Sequence, residues 1–186
     1  MSFKQYLKES SKIVYHGDNH KTKKLDVSLM NHGNNQEGIG IYFSDSIDTA
    51  FSYGRNVVSV EINMSKFLHS REKVSKIGQV KVKKLLHALW KYDKEQMFYW
   101  ISDYIEVHDE DDVQDIHIDE MAGYLMNDEL RTFQIDLADK FGVENMVKEW
   151  NKIVKIDGLY NSNNDNEVWY AIINPKIKLT RHKKTS

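Results

Sequence analysis

Hydrophobic and polar positions alternate near both ends of the chain and recur with helical spacing between them. The first β-rich runs are 12–15, 39–43 and 56–63, and in the last of these Val57, Val58, Val60 and Ile62 predict a buried strand. From about Val74 to Trp150 the texture changes. Leu85, Leu86, Leu89, Trp90, Phe98, Ile101 and Ile105 recur near the helical period and predict roughly three to five helices. Strand-like runs then return at 153–160, 167–173 and 176–180, with Pro175 separating the last two. Strands, a helical middle and strands again argue for the α+β class, and 186 residues suit a single domain.

Within the first β-rich part, the stretch 38–54 has the most specific residue order. It reads as a strand from Ile39 to Phe43, a turn, and a short helix that Asp45 caps while Asp48 reaches back. Gly38 and Gly40 let the backbone come close to something flat or charged. Tyr42 leaves the strand and Tyr53 the helix end, so two aromatic rings converge on one cleft suited to a planar ligand.

Composition narrows the chemistry. The chain has no cysteine, which excludes thiol catalysis, disulfides and cysteine–metal sites. A formal net charge of -2 gives no bulk attraction to nucleic acid. No apolar run reaches the length of a membrane span, and no signal-peptide core follows Met1, which argues against membrane insertion and the usual secretory route. His108 to Asp115 carries four consecutive acidic residues without the spacing or glycine turn of a calcium loop, so it reads as solvated. Trp90, Tyr92, Phe98, Tyr99 and Trp100 lack interleaved arginines and read as core rather than as a base-stacking platform.

Three pieces carry candidate chemistry: Tyr15-His16-Gly17, the pair Tyr42 and Tyr53, and Glu167 after a loop of asparagines. Singly, each has an ordinary structural reading: a core-edge histidine, half-buried rings, a strand-edge charge. In this order they resemble the His-Tyr-Glu class of the ADP-ribosyltransferase superfamily, which includes diphtheria-type toxins and poly(ADP-ribose) polymerases, and above all its small phage domains. Tyr15-His16-Gly17 looks like the first motif, Gly40 to Asp45 with Ala50 to Tyr53 like the second, and Asn166-Glu167 followed by Asn174 to Lys178 like the third. Asp157-Gly158 adds a fourth. The likeness spans roughly 13–68 and 150–180 and leaves out the helical middle.

That resemblance implies a split β-sheet core within a single domain, 11–186, carrying a helical insertion at about 74–150. It also implies NAD as substrate and no metal. Catalysis would fall to Glu167, with His16 and Tyr42. The NAD pocket would draw on His16, Gly17, Tyr42, Tyr53 and Ala50, and acceptor recognition on Asp165 and Asn166. Breaking the nicotinamide–ribose bond creates an oxocarbenium-like cation, so a fixed carboxylate stabilises charge that exists mainly in the transition state. This chain departs from the pattern at Asp18, where relatives have Ser or Thr, at Ala50, where polymerases have a nicotinamide-contacting serine, and at Asp165, where arginine-modifying relatives have Glu.

Leu7-Lys8-Glu9 resembles the end of phage capsid-targeting peptides. It implies a cleavable segment, 1–10, a prohead protease and capsid as partners, and a place in the virion head and then the host cytoplasm. The plainer alternative is a short N-terminal helix packed on a cytoplasmic domain. The expected activity is mono-ADP-ribosylation of a host macromolecule, a protein before nucleic acid. Its alternatives are an inactive NAD-binding or structural phage protein, and an enzyme of this fold acting on nucleic acid.

Overall fold

The computed structural model describes residues 11–19, 23–30, 38–162 and 167–182. The segment 1–10, Asp165 and Asn166 lie outside them. Seven strands form one mixed sheet: β1 (Ser11–Asp18), β2 (Ile41–Ser44), β3 (Asn56–Asn63), β4 (Phe67–His69), β5 (Gly158–Ser162), β6 (Val168–Ile172) and β7 (Thr180–His182). Their order is β4-β5-β6-β2-β1-β3-β7, antiparallel except where β4 meets β5. Six α-helices accompany them: α1 (Ile47–Tyr53), α2 (Gln79–Trp90), α3 (Lys94–Ser102), α4 (Asp115–Tyr124), α5 (Leu130–Phe141) and α6 (Val143–Ile153). The fold is α+β.

The sheet is not evenly knitted. β1 pairs with β3 along eight register positions, from Ser11↔Asn63 to Asp18↔Asn56, and β2 pairs with β6 along four. Between β1 and β2 the register holds one pair, Tyr15↔Ser44. Two half-sheets, β4-β5-β6-β2 and β1-β3-β7, are therefore joined by one register pair among the described residues.

One apolar cluster spans sheet and helices. The alternation Val58, Val60, Ile62 on β3 and Val14 on β1 places buried side chains beside Phe43 and Tyr170. From the helices come Leu85, Leu86 and Leu89 of α2, Phe133 and Leu137 of α5, and Trp150 of α6, all fully buried. Burying each such side chain contributes about 1.5–3 kcal/mol. Trp150 also satisfies its indole N–H on the Ile156 carbonyl at 3.1 Å.

Several local expectations change. Of the run 153–160 only 158–160 is strand: Ile153 ends α6, because Trp150 and Val154 continue its buried face. The Trp150 carbonyl accepts from Val154 and Lys155 N–H, Lys155 turns at φ 62, and the strand waits until Gly158. The last strand lies at Thr180–His182 rather than 176–180, since it pairs with β3 on the far side of the sheet and the chain first has to cross from β6. Asp45 does not cap α1. Ser46 does, accepting from Thr49 N–H at 3.2 Å, because Asp45 is engaged by Lys12 and by β6. Finally, Gly40 admits protein rather than ligand: a Cβ there would sit 2.8 Å from the Ala171 carbonyl carbon. Tyr92 and Tyr99 are exposed at 39% and 54%, so only part of the aromatic group, chiefly Trp100, is core.

Candidate functional site

Several of the sequence-predicted residues flank the Tyr15↔Ser44 pair that joins the half-sheets. Past the Tyr15↔Ser44 pair, the side chain of His16 reaches across and its Nδ1 lies 2.7 Å from the Tyr42 carbonyl oxygen. A carbonyl only accepts, so Nδ1 carries the proton. Nε2 then faces Asp18, 3.7 Å from Oδ2, and the ring lies against Phe43 with centroids 5.3 Å apart. Asp18, the departure noted in the sequence, is thus the neighbour of His16.

On the other side of this pair stands Glu167, immediately before β6. Ser44 Oγ donates to Glu167 Oε1 at 3.1 Å and accepts from Ser46 N–H at 2.9 Å, and Ser44 is only 1% exposed. The neighbouring turn clamps the same strand end: Val168 N–H donates to Asp45 Oδ1 at 3.2 Å and Asp45 N–H to the Val168 carbonyl at 3.3 Å. Lys12 holds Asp45 in turn, Nζ to Oδ2 2.9 Å, and lies over the Tyr170 ring. Burial pulls the Lys12 ammonium down, but hydrogen bonding with Tyr170 and Asp45 outweighs it and keeps the group above the ordinary lysine range. Burial likewise pushes the Tyr170 phenol up. Glu167 is therefore held through its carboxylate and through the backbone of the next residue, Val168.

The aromatic walls differ from two converging tyrosines. Tyr42 is half-buried and its hydroxyl donates to the Gly38 carbonyl. Tyr53, at the end of α1, is 61% exposed and meets Trp169 edge-on, centroids 5.6 Å apart at 88°. Trp169 is a site residue that sequence reasoning missed, although strand alternation places it on the face of Glu167. Ser44, Asp45 and Lys12 were missed too: their role depends on strand pairing that no local pattern displays. Beneath the walls, Gly17 and the buried Ala50 touch through backbone, since a Cβ on Gly17 would fall 1.6 Å from the Ala50 carbonyl oxygen.

The arrangement offers one anchored carboxylate, a histidine whose free-turning is blocked by a carbonyl, and exposed aromatic surface beside them. Such a set stabilises a developing cation and holds a planar group. Among the described residues no three His, Asp or Glu side chains converge to hold a metal ion, and no helix is long and apolar enough to cross a membrane. Two cavities of about 660 and 960 Å³ lie along α6, away from Glu167.

No protein-family model matches the sequence, and a comparison with curated proteins finds no match. Among solved structures, one described as the crystal structure of an anti-CRISPR protein superposes with a TM-score of 0.39 and 10% identity, over 95% of this chain and 98% of that one.

Proposed function

We propose that this chain is a mono-ADP-ribosyltransferase built on an ADP-ribosyltransferase-like split sheet, with NAD as its substrate and Glu167 as its principal catalytic group. The observation that carries the reading is the anchored Glu167 carboxylate beside the single junction of two half-sheets, with His16 on the opposite lip. The resemblance expects a carboxylate, a histidine and an aromatic wall around such a split, and the contacts of Glu167, His16, Tyr42 and Tyr53 accord with it.

In this reading Tyr53 and Trp169 flank the nicotinamide, and Gly17 presents backbone to its carboxamide. The glycosidic C–N bond breaks with its electron pair passing to the nicotinamide nitrogen. Glu167 stabilises the cation left on the ribose, and an acceptor nucleophile attacks that carbon and gives up its proton. Because Ser44 already orients the carboxylate, little reorganisation is needed as charge develops. The acceptor is a host protein side chain. If residues 1–9 are a capsid-targeting peptide, the enzyme travels in the phage head, and its chain in particles begins at Ser10.

Labelled NAD tests the activity. Wild type is expected to release nicotinamide and label acceptors in a bacterial lysate, and Glu167→Ala to lose on the order of a hundredfold in rate. Equal rates for the two proteins, or no release from wild type, overturns the proposal. A second reading, an NAD-binding scaffold without turnover, draws on Ala50 in place of a nicotinamide-contacting serine and on Asp18 beside His16. Calorimetry showing NAD binding without nicotinamide release would select it.

A further inference from the structure

The larger cavity, about 960 Å³, belongs to no part of the reaction proposed above. One wall is a face of α6, where Glu144, Val147, Lys148, Asn151 and Lys152 recur at spacings of three and four. The facing wall combines three separate chain segments: the turn at Asp26, Lys66 ahead of β4, and the turn after β6 that carries Pro175 and Lys176. Lys155 closes one end. Glu167 and Asn174 stand at opposite ends of β6, so the cavity lies on the order of 20 Å along the strand from the candidate active site.

Five lysines line this cavity in a chain whose net charge is -2. Three carboxylates of the same lining, Asp26, Glu144 and Asp157, offset them only in part. Lys152 pairs with Glu149 at 3.3 Å and Lys148 lies over the Tyr92 ring, but Lys66, Lys155 and Lys176 have no ion pair among the described residues. Two of the three lining carboxylates also accept local hydrogen bonds. Asp157 accepts from Asn174 Nδ2 at 2.7 Å, and Asp26 accepts from Ser28 through both N–H and hydroxyl. Lys155 also holds a left-handed backbone, φ 62, which costs a side chain-bearing residue energy that glycine would avoid.

The walls are fixed before any ligand arrives. Asp157 N–H donates to the Lys66 carbonyl at 2.8 Å, Asn174 N–H to the Asp157 carbonyl at 3.2 Å, and Asn151 Nδ2 to the Ile173 carbonyl at 3.3 Å. These bonds tie α6, the approach to β4 and the turn after β6 into one frame. The lysines around this frame are exposed, so an anion of several charges can meet more than one ammonium group at once.

We propose that this cleft binds a small organic anion carrying a chain of three or more phosphates, a higher charge than the pyrophosphate of NAD supplies. The chemistry selects that class. All five cations are lysines, which act as point charges toward phosphate, with no arginine fork for planar carboxylate pairs. Among the described residues no aromatic ring lines the cavity, which gives no stacking platform for a splayed nucleic-acid strand. Val27, Val147 and Pro175 supply apolar floor, and the volume is that of a small-molecule site. This site is independent of NAD turnover and stands or falls separately from it.

Isothermal titration with inorganic tripolyphosphate and with ATP tests the proposal, using a short single-stranded RNA as the alternative polyanion. Both small ligands are expected to bind with affinity that falls as salt is raised, and saturating NAD is expected to leave tripolyphosphate binding unchanged. Lys66→Ala with Lys176→Ala should weaken binding by about tenfold or more while the melting temperature holds. Lys155→Gly, which relaxes the backbone, should weaken binding while leaving the fold intact. No binding of either small ligand, equal binding by the lysine variants, displacement by NAD, or tighter binding of RNA than of ATP overturns it.

Discussion

Ser44 and Glu167, 123 positions apart in the chain, are joined by a 3.1 Å hydrogen bond at the place where β2 and β6 end beside one another. Because Ser44 is buried and also accepts from Ser46 N–H, its hydroxyl has one orientation and passes it to the carboxylate. Ser44→Ala should therefore act through position rather than chemistry. We expect kcat for nicotinamide release to fall about tenfold, with the KM for NAD nearly unchanged. Steady-state kinetics separates this from a binding defect, and a change confined to KM would remove Ser44 from the catalytic arrangement.

Tyr53, exposed, and Trp169, half-buried, form the edge-to-face pair of the site. Truncating either ring removes stacking surface without touching Glu167. Tyr53→Ala and Trp169→Ala should each raise the KM for NAD by about tenfold at similar kcat, as the loss of one aromatic contact of roughly 1 kcal/mol or somewhat more would give. Unchanged kinetics in both variants would place the nicotinamide elsewhere.

How far the sequence revealed all this depended on whether a signal was local. The run 56–63 was legible as a strand because Val57, Val58, Val60 and Ile62 are apolar enough to be buried wherever they pair, and β3 has those bounds. The acidic run was legible as a solvated turn, with Asp109 capping Glu110–Asp112. Ile153 to Ile156 misled because β-branched residues there extend the buried face of α6 rather than open a strand. Asp45 looked like a helix cap by position, yet Lys12 and Val168 outcompete the helix for its oxygens. Strand pairing across more than a hundred residues set the partners of Glu167, and the lysine cleft drew on segments as distant as Asp26 and Lys176. Neither leaves a mark within any short window.

The helical region holds a pH response of readable sign. Burial pushes the Asp136 carboxyl above the usual carboxylate range, Lys140 draws it back, and Asp128 and Asp139 push it further up. In the window between the unfolded and folded values, the folded chain keeps a proton that the unfolded chain has lost. Stability therefore falls as pH rises through that window. Asp136→Asn should melt higher than wild type at pH 7, on the order of 2 °C after discounting for solvent screening of a half-buried group. Below about pH 3.9, where both states are protonated, the two melting curves should coincide. A wild type that gains on the variant as pH rises would reverse the sign.

Gly17 and Ala50 set the last expectation. A Cβ at Gly17 would lie 1.6 Å from the Ala50 carbonyl oxygen and 2.6 Å from its carbon, both backbone atoms that no rotamer change can move. At the other end of α1, a Cβ on Gly54 would fall 2.1 Å from the Asp18 carbonyl, so the helix is seated on β1 at two glycines. Gly17→Ala must push α1 away from the sheet, and Tyr53, at the helix end, moves with it. Overpacking of this kind costs about 3 kcal/mol, which lowers the melting temperature of a chain this size by roughly 6–12 °C. NAD affinity should fall in the same variant at temperatures where it remains folded, because the Tyr53–Trp169 contact is lost with the seat of the helix. Thermal melting and calorimetry read the two effects separately, and a Gly17→Ala protein that melts within a degree of wild type would show that α1 is not pinned there.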